Sequence, residues 1–130
     1  MFLHLLDDSQ KRAFIALAGN MVTRDGRADS IEVAYLKRLM IESGLGRDLG
    51  DISSSDSVEP GLFASRAAQC AVIAELLIIS ILDGTYDDGE AAFADSLVDV
   101  FGLSSSDHAE LCRIAEDAAG ALSKMQGLVG

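Results

Sequence analysis

Basic residues are scarce in this chain. Ten Lys and Arg stand against 21 Asp and Glu, a net charge of −11. Phosphate backbones are held by Lys and Arg, so nucleic acid is not an expected partner, and an anionic membrane surface is disfavoured for the same reason. The natural complements are cations or basic protein surfaces. Proline occurs once among 130 residues and hydrophobic residues make up 49%, a balance that argues against disorder and for a single domain with its own core. Only two cysteines are present, Cys70 and Cys112, with no C-x-x-C spacing. That excludes a disulfide framework, and both thiols are expected to stay reduced as small core hydrophobes. The N-terminus has no basic lead and too short an apolar run for a signal peptide. The longest apolar stretch, residues 67–82, is interrupted by Gln69 and Glu75. A bilayer span needs about 20 predominantly apolar residues, so this stretch reads as a buried helix of a cytoplasmic protein, without membrane insertion. There is no nucleophile elbow, no phosphate-cradling glycine loop opening a helix and no His recognisably paired with a nucleophile, so an enzyme is not expected.

What the chain does contain is a repeat. Asp25-Gly26, Asp29 and Glu32 recur 58 positions later as Asp83-Gly84, Asp87 and Glu90, so both halves read D-G-x-x-D-x-x-E. Eight identities fall in 21 ungapped positions, continuing through Ala34 and Ala92, Leu39 and Leu97, and Gly44-Leu45 and Gly102-Leu103. This reads as a duplicated helix–turn–helix unit. The expected fold is all-α, a compact helical bundle with unit one at about 10–45, a connector at 46–61, unit two at about 62–103 and a C-terminal helix at about 107–125.

The helices follow from spacing and caps. Asp8-Ser9 signals the start of the first, with Phe14, Leu17, Ala18, Met21 and Val22 on one face. Ile31, Tyr35, Leu36, Leu39 and Met40 form the inner face of the second, and Gly44 ends it. Pro60 suits the first turn of the third, which is expected to break around Ser65. Its apolar residues cover most of its circumference, so it should be buried. Glu75 within it reads as marking a narrow stripe that reaches solvent or a partner. Gly102 closes the fourth helix, and Asp107-x-x-Glu110 caps the last, which turns Leu111, Ile114, Ala115, Ala118 and Leu122 inward. The final GLVG is expected to fray.

The repeated acidic motif admits two roles. Three carboxylates within eight residues suit a hard divalent cation, Ca²⁺ or Mg²⁺, which makes Asp25, Asp29, Glu32, Asp83, Asp87 and Glu90 candidate ligands. Gly followed six positions later by Glu is the back half of an EF-hand loop, but the first loop position is Met21 in one copy and Ile79 in the other. Alternatively, Gly26 and Gly84 stop helices while Asp29/Glu32 and Asp87/Glu90 form capping boxes. The capping account leaves only Asp25 and Asp83 without a role and is the more economical. His108-x-x-x-Cys112 offers half a zinc site with no visible second pair, and reads as a surface histidine beside a core cysteine.

The phrases FIALAGNMVTRDGRADSIEVAYLKRLM and LLIISILDGTYDDGEAAFADSLVDVFGLS together resemble the TerB-like family of tellurite-resistance proteins. The resemblance spans about residues 10–122. It implies a small all-helical bacterial domain with the acidic signature on Asp25, Asp29, Glu32, Asp83, Asp87 and Glu90. It also implies a cytoplasmic accessory protein of metal and oxyanion stress, and of phage defence, working with protein partners that present a basic or membrane-associated surface. Self-association is open. Tellurite is an anion and a chain at −11 repels it, so direct capture of the oxyanion is not expected.

Overall fold

The computed structural model describes residues 2–23, 30–44, 59–82 and 88–129. All regular structure among them is helical. In chain order it comprises a 3₁₀ turn at Leu3–Leu5, α1 (Asp8–Thr23), α2 (Ser30–Glu42), a second 3₁₀ turn at Pro60–Leu62, α3 (Arg66–Ile81), α4 (Asp88–Phe101) and α5 (Ser105–Val129). No described helix is long and apolar enough to cross a membrane. The chain divides into two compact units, Met1–Val72 and Ile73–Gly130, with the division inside α3.

In the first unit, the opening turn buries Leu3 and Leu6. α1 then begins at a reciprocal cap one residue earlier than the expected Asp8-Ser9. The Gln10 amide donates to Asp7 Oδ1 at 2.8 Å, and the Asp7 amide donates to Gln10 Oε1 at 3.0 Å. Aspartate wins the position because its carboxylate can satisfy an orphan amide of the first turn while position N3 reaches back. Ser9 instead donates its hydroxyl to Asp7. These hydrogen bonds, the Gln10 amide first, hold the Asp7 carboxyl below its ordinary range. The Gln10 side chain also donates to the Leu62 carbonyl, tying the start of α1 to the second 3₁₀ turn. The expected inner faces of α1 and α2 are buried, from Phe14, Leu17, Ala18, Met21 and Val22 to Tyr35, Leu36, Leu39 and Met40; Ile31 lies where no side chain is described. Burying a side chain such as Phe14 or Leu36 stabilises by about 1.5–3 kcal/mol before conformational entropy is counted.

The segment from Pro60 resolves into two pieces. Proline occupies the first turn of the short 3₁₀ helix, Phe63 is buried behind it, and Ser65 then caps α3 by accepting from the Ala68 amide at 3.1 Å. The expected break at Ser65 is therefore a cap between two helices. A further tie comes from Gln69, whose side-chain amide donates to the Phe63 carbonyl at 2.9 Å.

Within the second unit, α3 is buried without interruption to Ser80, and Ala94, Leu97 and Val98 of α4 and Leu111, Ala115, Ala118 and Ala119 of α5 are buried with it. α4 ends in a full Schellman turn. Gly102 takes φ +71°, its amide donates to Asp99, and the Leu103 amide donates to Val98. Gly44 takes the corresponding φ of +79° after α2. α5 starts earlier than the expected cap at Asp107. Ser104 accepts from the Asp107 amide at 3.0 Å, so Asp107 is a first-turn residue and not the cap. Two other expectations fail here. Ile114 faces outward, and the final residues continue the helix to Val129. Glu75 is likewise corrected, because it is fully buried (0% exposed) and does not reach solvent.

Candidate functional site

Of the six carboxylates in the repeated motif, the structure describes two. Glu32 is the third residue of α2 and half-buried; Glu90 is the third residue of α4 and buried. Neither is free of interactions. Asp25, Asp29, Asp83 and Asp87 lie outside the described residues, as do Gly26 and Gly84 and most of the 46–61 connector. Third place in a helix is where a capping-box acid sits, and an acid there also faces the positive end of the helix dipole. The same place is compatible with a ligand approaching the preceding loop. Glu32 belongs to the first unit and Glu90 to the second. Among the described residues, no group of three or more His, Cys, Asp and Glu is placed to hold a metal ion.

His108 and Cys112, read as a surface histidine beside a core cysteine, have a different content. His108 Nε2 lies 2.9 Å from Asp95 Oδ1, an ion pair between α5 and α4 when the ring is protonated, although it lacks the alignment of a directed hydrogen bond. Cys112 is half-buried and unbridged. Burial pushes its thiol up, and the negative charges of Asp95 and Glu116 add to that. A thiol shifted in this direction ionises less readily, which weakens it as a nucleophile and as a metal ligand. Asp95 was missed in the sequence because its partner sits on another helix, where no periodicity within one element can reveal it.

A third feature lies at the start of the first unit. A shallow cleft of about 180 Å³ is lined by Leu3, His4, Lys11, Glu42 and Ser43. Lys11 is only loosely paired, its Nζ 4.0 Å from Asp8, and Ser43 turns its hydroxyl back to the Met40 carbonyl. The cleft thus mixes both signs of charge with few convergent polar groups, less than a specific small-molecule site requires. Comparison with family models, with curated proteins and with solved structures gave no match.

Proposed function

We propose that this chain is a non-catalytic, acidic helical adaptor of the TerB-like kind, cytoplasmic and built on a duplicated helix–turn–helix unit. In this reading the paired Asp-Gly loops present Asp25, Asp29 and Glu32, and Asp83, Asp87 and Glu90, to a divalent cation, Ca²⁺ or Mg²⁺. Its partner is a protein with a basic or membrane-associated surface.

The observation that carries the reading is the register of the helices. α1 (Asp8–Thr23) and α3 (Arg66–Ile81) are both 16 residues long and 58 positions apart at each end. The same displacement relates the first residues of α2 and α4, the acids Glu32 and Glu90, and the two left-handed glycines Gly44 and Gly102. The matching burial of Ile15 and Ile73, Ala18 and Leu76, Met21 and Ile79, and Leu39 and Leu97 also supports it.

A metal titration tests the cation. Ca²⁺, Mg²⁺ or Mn²⁺ should raise the melting temperature by mass action, by an amount worth about 2.7 kcal/mol once free metal reaches about 100 times Kd. Asp25→Asn with Asp83→Asn should abolish that rise. An unchanged melting curve at millimolar metal, with no heat in calorimetry, removes the cation from the proposal.

The second reading is a metal-free interaction domain whose acids are caps. It is favoured by the place of Glu32 and Glu90 at the third helical position and by the reciprocal Asp7–Gln10 cap, which shows the same device in use on α1. Under it, the Asp25→Asn/Asp83→Asn variant keeps its partner, while Asp29→Ala and Asp87→Ala each lower stability by about 1 kcal/mol.

A further inference from the structure

α5 is 25 residues long, and one seam runs its length at alternating spacings of four and three: Leu111, Ala115, Ala118, Leu122, Met125 and Val129. This is the a/d pattern of a helix that packs along one stripe. The seam is covered only at first. Leu111, Ala115 and Ala118 are buried, Leu122 is half-buried, and Met125 and Val129 are 58% and 68% exposed, with Leu128 beside them at 82%. Two glycines, Gly120 and Gly127, weaken the same ten residues as a helix, so little besides packing would hold them helical.

We propose that this second half of α5 is a self-association surface, on which the same segment of a second copy lies. Charge selects the occupant. From Ala118 onward the chain has no acidic residue and a single basic one, Lys124, whereas the molecule as a whole carries −11. Two copies repel each other through their acidic surfaces, and here an apolar, acid-free stripe meets its own like without opposing carboxylates. A basic protein finds no carboxylate on this segment, and one lysine is too little for a nucleic acid or an anionic membrane. The contact is isologous, each copy offering the same residues. It is also small, at the weak end of specific interfaces.

The test is sedimentation velocity of the full chain from about 10 µM to about 1 mM, the range a contact of this size calls for. A concentration-dependent dimer is expected. Met125→Asp with Leu128→Asp should weaken it at least about tenfold, while at the lowest concentration, where both chains are monomeric, the variant should melt with the parent because both side chains are exposed. Gly120→Ala with Gly127→Ala acts in the opposite direction. Both positions lie off the seam and have open space for a methyl group, so a better-formed helix should tighten the dimer severalfold. Raising salt should also tighten it, by screening the repulsion between acidic bodies.

A chain that stays monomeric throughout, whether or not it partitions onto phosphatidylcholine vesicles, overturns the proposal. So does a dimer indifferent to the double aspartate variant, or one that salt dissolves. If the aspartate variant fails to fold, the glycine variant and the salt response still decide.

Discussion

α1 and α3 have the same length and, 58 positions apart, much the same pattern of burial, yet they bury different chemistry. α1 encloses Leu17 and Val22; the corresponding places in α3 hold Glu75 and Ser80, at least as deeply enclosed. Ser80 settles within its own helix by donating its hydroxyl to the Leu77 carbonyl at 2.8 Å. Glu75 also has interactions inside the protein. A buried position is therefore set by where the helix lies, and a polar residue can occupy it when its hydrogen-bonding groups are met. α1 keeps charged residues such as Asp8 and Arg12 on an exposed side, while α3 from Ala71 to Ser80 has no such side.

The largest effects should come from emptying the two helices of their core. Phe14→Ala in α1 should cost about 3–5 kcal/mol, and Ile73→Ala in α3 about 2–5 kcal/mol, in urea unfolding. A value under about 1 kcal/mol for either would show that its surroundings collapse onto the space, and would break the parallel between them.

Next comes the exchange that makes α3 resemble α1. Glu75→Leu should destabilise by about 1–3 kcal/mol, because the groups now meeting the carboxyl are left buried without it. A gain in stability would show that the carboxyl is tolerated in α3 and contributes nothing to holding it.

The helix ends sharpen the comparison further. Gly44→Ala and Gly102→Ala should each lose about 1–2 kcal/mol, since a side chain at φ near +75° is strained in both places. Unequal losses would separate the two turns. Ser65→Ala and Ser104→Ala remove hydroxyl caps from α3 and α5, at about 1 kcal/mol each.

The smallest effect is the pH response of the α1 cap. Asp7 has its carboxyl lowered in the folded chain, so its contribution is complete above the ordinary aspartate value of 3.8 and is lost as pH falls through the lowered folded value. Asp7→Asn should flatten that part of an acid titration of stability. No serine cap can show such a dependence, and α3 is capped by Ser65.

Much of the helical layout was legible because it depends on local chemistry. Spacing placed Phe14, Met21, Leu36 and Leu39 on inner faces, and glycine marked the ends of α2 and α4 through its access to positive φ. The caps were read one to three residues off. Several Asp and Ser residues stand side by side at 7–9 and 104–107, and each could serve; only the path of the chain into the helix selects Asp7 and Ser104. Ile114 was assigned to the wrong side for a related reason. The apolar stripe of α5 is wider than the surface that covers it, and periodicity cannot say where cover ends. Of the acidic candidate site, the repeat was plain in the sequence, whereas any approach of the two loops to one another is a long-range matter that spacing cannot contain.

By itself, the amino-acid order determined that this protein is helical, acidic, turned at glycines and poor in reactive groups, since propensity, charge and left-handed turns are properties of a few neighbouring residues. Only the tertiary structure decided that Glu75 is enclosed, that His108 meets Asp95, and that the apolar seam of α5 loses its cover beyond Leu122. Those outcomes depend on which distant elements come to lie beside a residue, and no local pattern encodes that.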